Sequence, residues 1–90
     1  MRIARRYLIT GRVQGVGFRY FTQRVAVQHG ISGWVRNTPD GRVEVEAEGD
    51  TDAMHQFERQ ISTGPAGAYV DQVGTTELAV GPVQSGFSIR

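Results

Sequence analysis

The segment RVEVEAEG, residues 42–49, alternates strictly: Val43, Val45 and Ala47 share one parity, and Arg42, Glu44, Glu46 and Glu48 share the other. Successive strand side chains point to opposite faces, so this segment has one apolar face to bury and one wet, acidic face. A doubly wound parallel sheet, covered on both sides, needs strands that are apolar throughout, and is disfavoured. Immediately before it, Pro39–Gly41 reads PDG, a turn in which proline presets φ and glycine accepts positive φ. The preceding strand pattern, ISGWVRNT (31–38), therefore folds back tightly onto it.

The remaining patterns are placed around that hairpin. Residues 5–13 predict a strand with Tyr7, Ile9 and Val13 on one parity. Residues 20–29 predict a helix with Phe21, Val25 and Val27 as its apolar candidates and Gly30 just past its end. A second helix fits 51–62, capped by Asp50 or Thr51, with Met54, Phe57 and Ile61 as an i, i+3, i+7 stripe. STGPAG ends it, a strand follows over 68–80 with an irregularity expected at Gly74, and GFSIR makes a short last strand. The order βαββαβ plus a short strand is an α+β, ferredoxin-like split βαβ arrangement: an antiparallel sheet with two helices on one face. No linker or repeat interrupts it, so 1–90 is expected to be a single domain.

Ninety residues are near the small end of what folds alone, where roughly 60% of the unfolded surface is buried. The absence of cysteine removes disulfides, thiolate metal sites and thiol nucleophiles. The basic start MRIARRYLITG carries too short an apolar run for a signal peptide, and no stretch approaches membrane-span length. A soluble cytoplasmic chain is expected, with no membrane partner. A net charge of +1 gives no steer towards nucleic acid. All 10 basic residues are arginine, so a Walker A loop is excluded and any cationic side chain on a phosphate must be Arg.

VQGVGFR, Val13–Arg19, joins the first strand to the first helix without Ser, Thr, Asp or Asn where an N-cap belongs. Gly15 and Gly17 can take positive φ and curl successive N–H groups towards one point. The helix behind adds its own unpaired amides and its positive dipole end. An external anion would complete such a helix start, and Arg19 offers a planar fork suited to phosphate. The pair of glycines serves equally as a tight strand-to-helix turn, and the residues alone leave both readings open.

In a split βαβ unit the first and second strands run parallel with the third between them. The loop Gln14–Arg19 and the strand-end Asn37 then reach one sheet edge, two strand spacings or about 10 Å apart. Asn37 could support the TPDG turn or orient a water, but an amide is no base at neutral pH. His29 and His55 read as surface residues, Glu44, Glu46 and Glu48 as solvated carboxylates, and Trp34 as packing at the cleft rim or over the open sheet face. Arg12, Arg24 and Arg36 could raise the local potential.

GRVQGVGFRYF (Gly11–Phe21) and GWVRNTPDGRVEVEAEG (Gly33–Gly49) resemble the two signature segments of the acylphosphatase family, and the similarity runs essentially through the whole chain. The resemblance implies hydrolysis of carboxylic–phosphoric mixed anhydrides without metal or cofactor. It also implies that Arg19 binds the phosphoryl group with the amides of the loop Gln14, Gly15, Val16, Gly17 and Phe18, while Asn37 positions the attacking water. The substrate phosphate is expected to take that water's proton. The partners implied are a small acyl phosphate and inorganic phosphate, and the expected state is a monomer. Two rivals remain. An RNA-binding module is opposed by glutamates where its third strand would carry aromatic and basic residues. A non-catalytic phosphate- or acyl-phosphate-binding module, like the acylphosphatase-type domain of hydrogenase-maturation carbamoyltransferases, would share the loop.

Overall fold

In the computed structural model, which describes residues 1–81 and 85–90, the alternating segment is the middle strand of the sheet. The elements in chain order are β1 (Arg2–Arg12), α1 (Phe18–Gln28), β2 (Ser32–Asn37), β3 (Val43–Asp50), α2 (Thr51–Thr63), β4 (Tyr69–Leu78) and β5 (Phe87–Ile89). The strand order β4-β1-β3-β2-β5 inserts β3 between β1 and β2, the expected split βαβ arrangement. The β1–β3, β1–β4 and β2–β3 pairs are antiparallel. The edge pair β2–β5 is parallel, through Gly33↔Phe87 and Val35↔Ile89, so the sheet is mixed there rather than wholly antiparallel. The short last strand thus lies beside β2.

The core lies on the face that the parity of β3 predicts. Tyr7, Ile9, Val35, Val43 and Val45 are buried against Phe18, Val25 and Ala26 of α1 and Met54, Phe57 and Ile61 of α2. Phe57 is central, its ring 6.2 Å from Tyr7 and 6.1 Å from Phe87 in tilted contacts favoured by aromatic quadrupoles. The α2 stripe matches its sequence pattern. In α1 the buried residues are Phe18, Thr22, Val25 and Ala26, whereas Val27 is 66% exposed. The helix begins at Phe18 rather than residue 20, and an i, i+4, i+7, i+8 face counted from Phe18 selects this set. Thr22 is tolerated in the core because its hydroxyl donates to the Phe18 carbonyl at 2.9 Å.

Helix ends follow local chemistry with one departure. At the end of α1, Gly30 donates to Val27 O at 3.3 Å and Ile31 to Ala26 O at 2.9 Å, the paired bonds of a Schellman stop. At the start of α2, Asp50 holds the N-cap position without a side-chain bond, and the Thr51 amide donates to the Met1 carbonyl at 2.9 Å. The irregularity expected at Gly74 is absent, since Gly74 pairs regularly with Leu8. The register shifts instead at Thr10/Gly11, where β4 accommodates Asp71 as an extra residue.

The opposite sheet face is not the simple solvated surface that its glutamates suggest. Arg36 and Arg6 each donate through Nε to Glu44, both at 2.6 Å, leaving the Glu44 side chain 7% exposed. Arg2 pairs with Glu48 at 2.9 Å, and the Arg90 guanidinium lies 4.6 Å over Trp34, which covers this open face rather than a cleft rim. The cause is register. Glu44 sits between Leu8 and Arg36, with Arg6 on the diagonal, a placement made by residues distant in sequence. Burial pushes the Glu44 carboxyl up, but the hydrogen bonds from Arg36 and Arg6 outweigh it and hold the group below its ordinary value.

A carboxyl held down in the folded state stabilises the fold above its unfolded pKa and loses that contribution as pH falls through the folded value. Urea unfolding of the wild type and Glu44→Gln between about pH 6 and pH 2 should show the wild type losing stability more steeply on acidification. Parallel curves would mean that the Arg6–Glu44–Arg36 cluster contributes nothing through ionisation.

Candidate active site

Register places the site. Ile9 of β1 and Asn37 of β2 both pair with Val43, so the two flank one residue of β3 and lie about 10 Å apart. Residues in one cross-strand row share a face, and Ile9 and Val43 point into the core. Asn37 therefore stands on the helix-covered face, where α1 packs on β2.

The chain between β1 and α1 alternates in role as well as in sequence. Val16 and Phe18 pack towards the core, whereas Gly15 (φ 74°) and Gly17 (φ 77°) are left-handed and exposed. A left-handed backbone between inward-anchored apolar residues turns the intervening N–H groups outwards. Gly17 is the N-cap of α1; no side chain caps this end and no acidic residue stands in the first turn. Among the described residues, the main-chain amides from Gly15 to Tyr20 have no hydrogen-bond acceptor. They form a run of donors at the positive end of a helix dipole, an arrangement complementary to an anion.

Arg19 lies within the first turn of α1 and not in the loop, because the helix starts earlier than its sequence pattern indicates. Its Nη1 donates to the Arg90 carbonyl at 3.4 Å, and the Arg90 amide donates to Val35 O at 2.8 Å. The guanidinium thus leans towards the β2–β5 side, the strand that ends at Asn37. A planar cationic fork beside free amides suits a phosphoryl group.

The turn after Asn37 is held by other residues. Thr38 donates from its amide to Arg42 O at 2.8 Å, its hydroxyl accepts the Arg42 amide at 2.9 Å, and Gly41 donates to Thr38 O at 3.2 Å. The Thr38 hydroxyl also bonds Asp40, whose carboxyl is held down to about 2 by hydrogen bonds from Arg42 and Thr38. The Gln14 side chain crosses from the loop, its Nε2 donating to Thr38 O and Arg42 O, both at 2.9 Å. Among the described residues, no hydrogen bond involves the Asn37 carboxamide, so the turn-supporting work that its position suggests falls to Thr38 and Gln14. The Thr38 role had a signal in TPDG; that of Gln14 had none, because its partners lie 24 and 28 residues away.

The other sequence candidates do not gather here. His29 Nε2 lies 3.2 Å from Gln60 Nε2, and His55 is exposed on α2. Glu44, Glu46, Glu48, Trp34 and Arg36 share the parity of the opposite sheet face, and Arg24 lies over Phe21 at 5.8 Å. Arg12 is exposed at the end of β1. No group of three or more His, Cys, Asp or Glu converges among the described residues, and no helix among them is long and apolar enough to cross a membrane.

Fold and loop together define a ferredoxin-like domain whose strand-to-helix joint leaves a run of main-chain amides unpartnered among the described residues. A family model described as Acylphosphatase matches residues 5–89, and the chain belongs to the acylphosphatase family. It is 52% identical over 75 residues to the acylphosphatase of Koribacter versatilis, covering 83% of this chain and 68% of that protein. Over 88 residues it is 43% identical to the acylphosphatase of Pasteurella multocida, covering 98% of each. Among solved structures, the acylphosphatase of Bacillus subtilis superposes with a TM-score of 0.94 at 40% identity, covering 98% of both chains. Full-length HypF in its phosphate- and nucleotide-bound form matches all of this chain at 29% identity with a TM-score of 0.87, but over only 12% of HypF.

The geometry of Gly17 yields a direct test. A Cβ there would meet nothing within 4 Å, so only its left-handed backbone (φ 77°, ψ 21°) resists a side chain. Gly17→Ala should cost about 1–2 kcal/mol of unfolding free energy by urea titration. D-alanine placed at the same position by chemical ligation should recover most of it. Equal losses for both enantiomers would show that space, not handedness, selects glycine.

Proposed function

We propose that this chain is an acylphosphatase that seats its substrate's phosphoryl group on the Gly15–Phe18 amides and Arg19, with Asn37 aligning the attacking water. The observation that carries this reading is the run of unpartnered amides from Gly15 to Tyr20, with Arg19 in their midst and Asn37 at the same sheet edge. Water oxygen forms the new bond to phosphorus, and the P–O bond to the acyl group breaks. The carboxylate leaves, and the water's proton passes to a phosphoryl oxygen. A carboxylate is already a good leaving group, so positioning and charge stabilisation supply the rate without a side-chain acid. Asn37 orients the water through its carboxamide and removes no proton.

The donor set is made of N–H groups and a guanidinium, which bind anions rather than cations, and this supports a metal-independent reaction. We take residues 1–90 as one domain acting as a monomer in the cytoplasm on small acyl phosphates. A second reading, a phosphate- or acyl-phosphate-binding module without turnover, would use the same loop amides.

Hydrolysis of acetyl or benzoyl phosphate decides between the two. The purified chain should turn over either substrate at a rate unaffected by EDTA; phosphate binding without turnover would establish the module instead, and activity lost to chelator and restored by a divalent ion would overturn the metal-free reaction. Arg19→Ala should weaken substrate binding and turnover together. Asn37→Ala should lower kcat by roughly 10²–10³ with a much smaller change in KM, because it acts on the water. Near-normal kcat in Asn37→Ala would remove that residue from the mechanism.

A further inference from the structure

We propose that Gln14 is a positioning residue: its carboxamide ties the phosphate-binding loop to the turn that follows Asn37, so that phosphoryl seating and water alignment are set together. This rests on the function proposed above. A carboxamide nitrogen carries two N–H groups, and Gln14 Nε2 spends them on Thr38 O and Arg42 O, each at 2.9 Å. It has no donor left for a phosphoryl oxygen, and its remaining atom, Oε1, is an acceptor with no attraction for an anion. Although Gln14 opens the phosphate loop, its side chain acts across the cleft instead of on the substrate.

Both acceptors already belong to one web. Arg42 O receives the Thr38 amide at 2.8 Å, and Thr38 O receives the Gly41 amide at 3.2 Å. The turn is therefore stiff in itself, and Gln14 is the bond pair that fixes it relative to the β1–α1 loop. Asn37 directly precedes Thr38 and ends β2, and among the described residues its own carboxamide has no partner. Its placement is inherited from the backbone it shares with Thr38. A displacement of about 1 Å in a catalytic group can cost on the order of a hundredfold in rate, so the tie matters to turnover out of proportion to its two bonds.

The test is a coupling cycle on the full chain, with melting curves confirming that each variant folds. Gln14→Met keeps volume and removes both donors; Gln14→Glu keeps the shape and sets a carboxylate against two carbonyl oxygens. With benzoyl phosphate, Gln14→Met should lower kcat about 10–100-fold while KM moves much less, and Gln14→Glu should lower it further. In an Asn37→Ala background, Gln14→Met should cost less than about twofold, because the group it positions is gone. Undiminished kcat in Gln14→Met, or the same fold-loss in both backgrounds, overturns the tie; a merely structural role would shift the melting temperature and act alike in both. If Gln14→Met does not fold, Gln14→Asn, one methylene short, should show the same coupling at smaller amplitude.

Absence of turnover in the wild type would sink the function and not the tie, which is then read by titrating inorganic phosphate under NMR. The Thr38 and Arg42 amide resonances should follow phosphate binding in the wild type and stop doing so in Gln14→Met. Equal shifts in both proteins would overturn the coupling.

Discussion

A helix start exposes N–H groups that cannot bond within the helix, and most helices cover them with a Ser, Thr, Asp or Asn side chain. Here Gly17 occupies that position and offers none, and the amides from Gly15 to Tyr20 stay without an acceptor among the described residues. With glycine as the cap, leaving this end open forgoes only about a few tenths of a kcal/mol, so the open donors are kept at little cost to the fold. Much of the surrounding structure keeps them open. Val16 and Phe18 anchor the loop from inside, Gly15 and Gly17 supply the handedness, and Gln14 fixes the loop against the β2–β3 turn. The β1–β3–β2 register then brings Asn37 to the same edge.

The two faces of the sheet divide the work. The helix-covered face carries the apolar core and, at its edge, the unpartnered amides of the β1–α1 loop with Arg19 and Asn37. The other face is held by ion pairs, with Glu44 between Arg6 and Arg36, Glu48 against Arg2, and Arg90 over Trp34. Arg6 and Arg36 remain nearly half exposed, so solvent screens these pairs and their contribution to stability is modest. Their chief effect is to let an uncovered face present charge without leaving Glu44 desolvated and unpaired.

The fold was legible because its decisive signals are local. The period-2 pattern at 43–47, the PDG turn and the Met54, Phe57, Ile61 stripe each specify an element without reference to the rest of the chain. Element edges and helix phase were less so. The start of α1 carries no sequence signal because its N-cap lacks the usual residues, and a helix phased from residue 20 puts Val27 in the core in place of Phe18 and Ala26. Features set by non-local register were out of reach: the parallel β2–β5 pair, the extra residue at Asp71, and the burial of Glu44. At the site, the glycine pair, Arg19 and Asn37 stand out through their chemistry. Gln14 stands out only as a member of a motif, and its bonds to residues 38 and 42 exist only once the chain has folded.

If an anion completes the uncapped start of α1, thermal stability registers it without recourse to catalysis. Inorganic phosphate at about 100 times its Kd should stabilise the folded state by about 2.7 kcal/mol. At roughly 4–8 °C per kcal/mol for a domain of this size, the rise in Tm would exceed 10 °C. Chloride at matched ionic strength should do far less, since screening does not fill a site. The rise should largely vanish in Arg19→Ala and persist in Asn37→Ala. An equal rise in wild type and Arg19→Ala would show that phosphate acts only as a general stabilising salt, and that Gly15 and Gly17 serve no more than a turn.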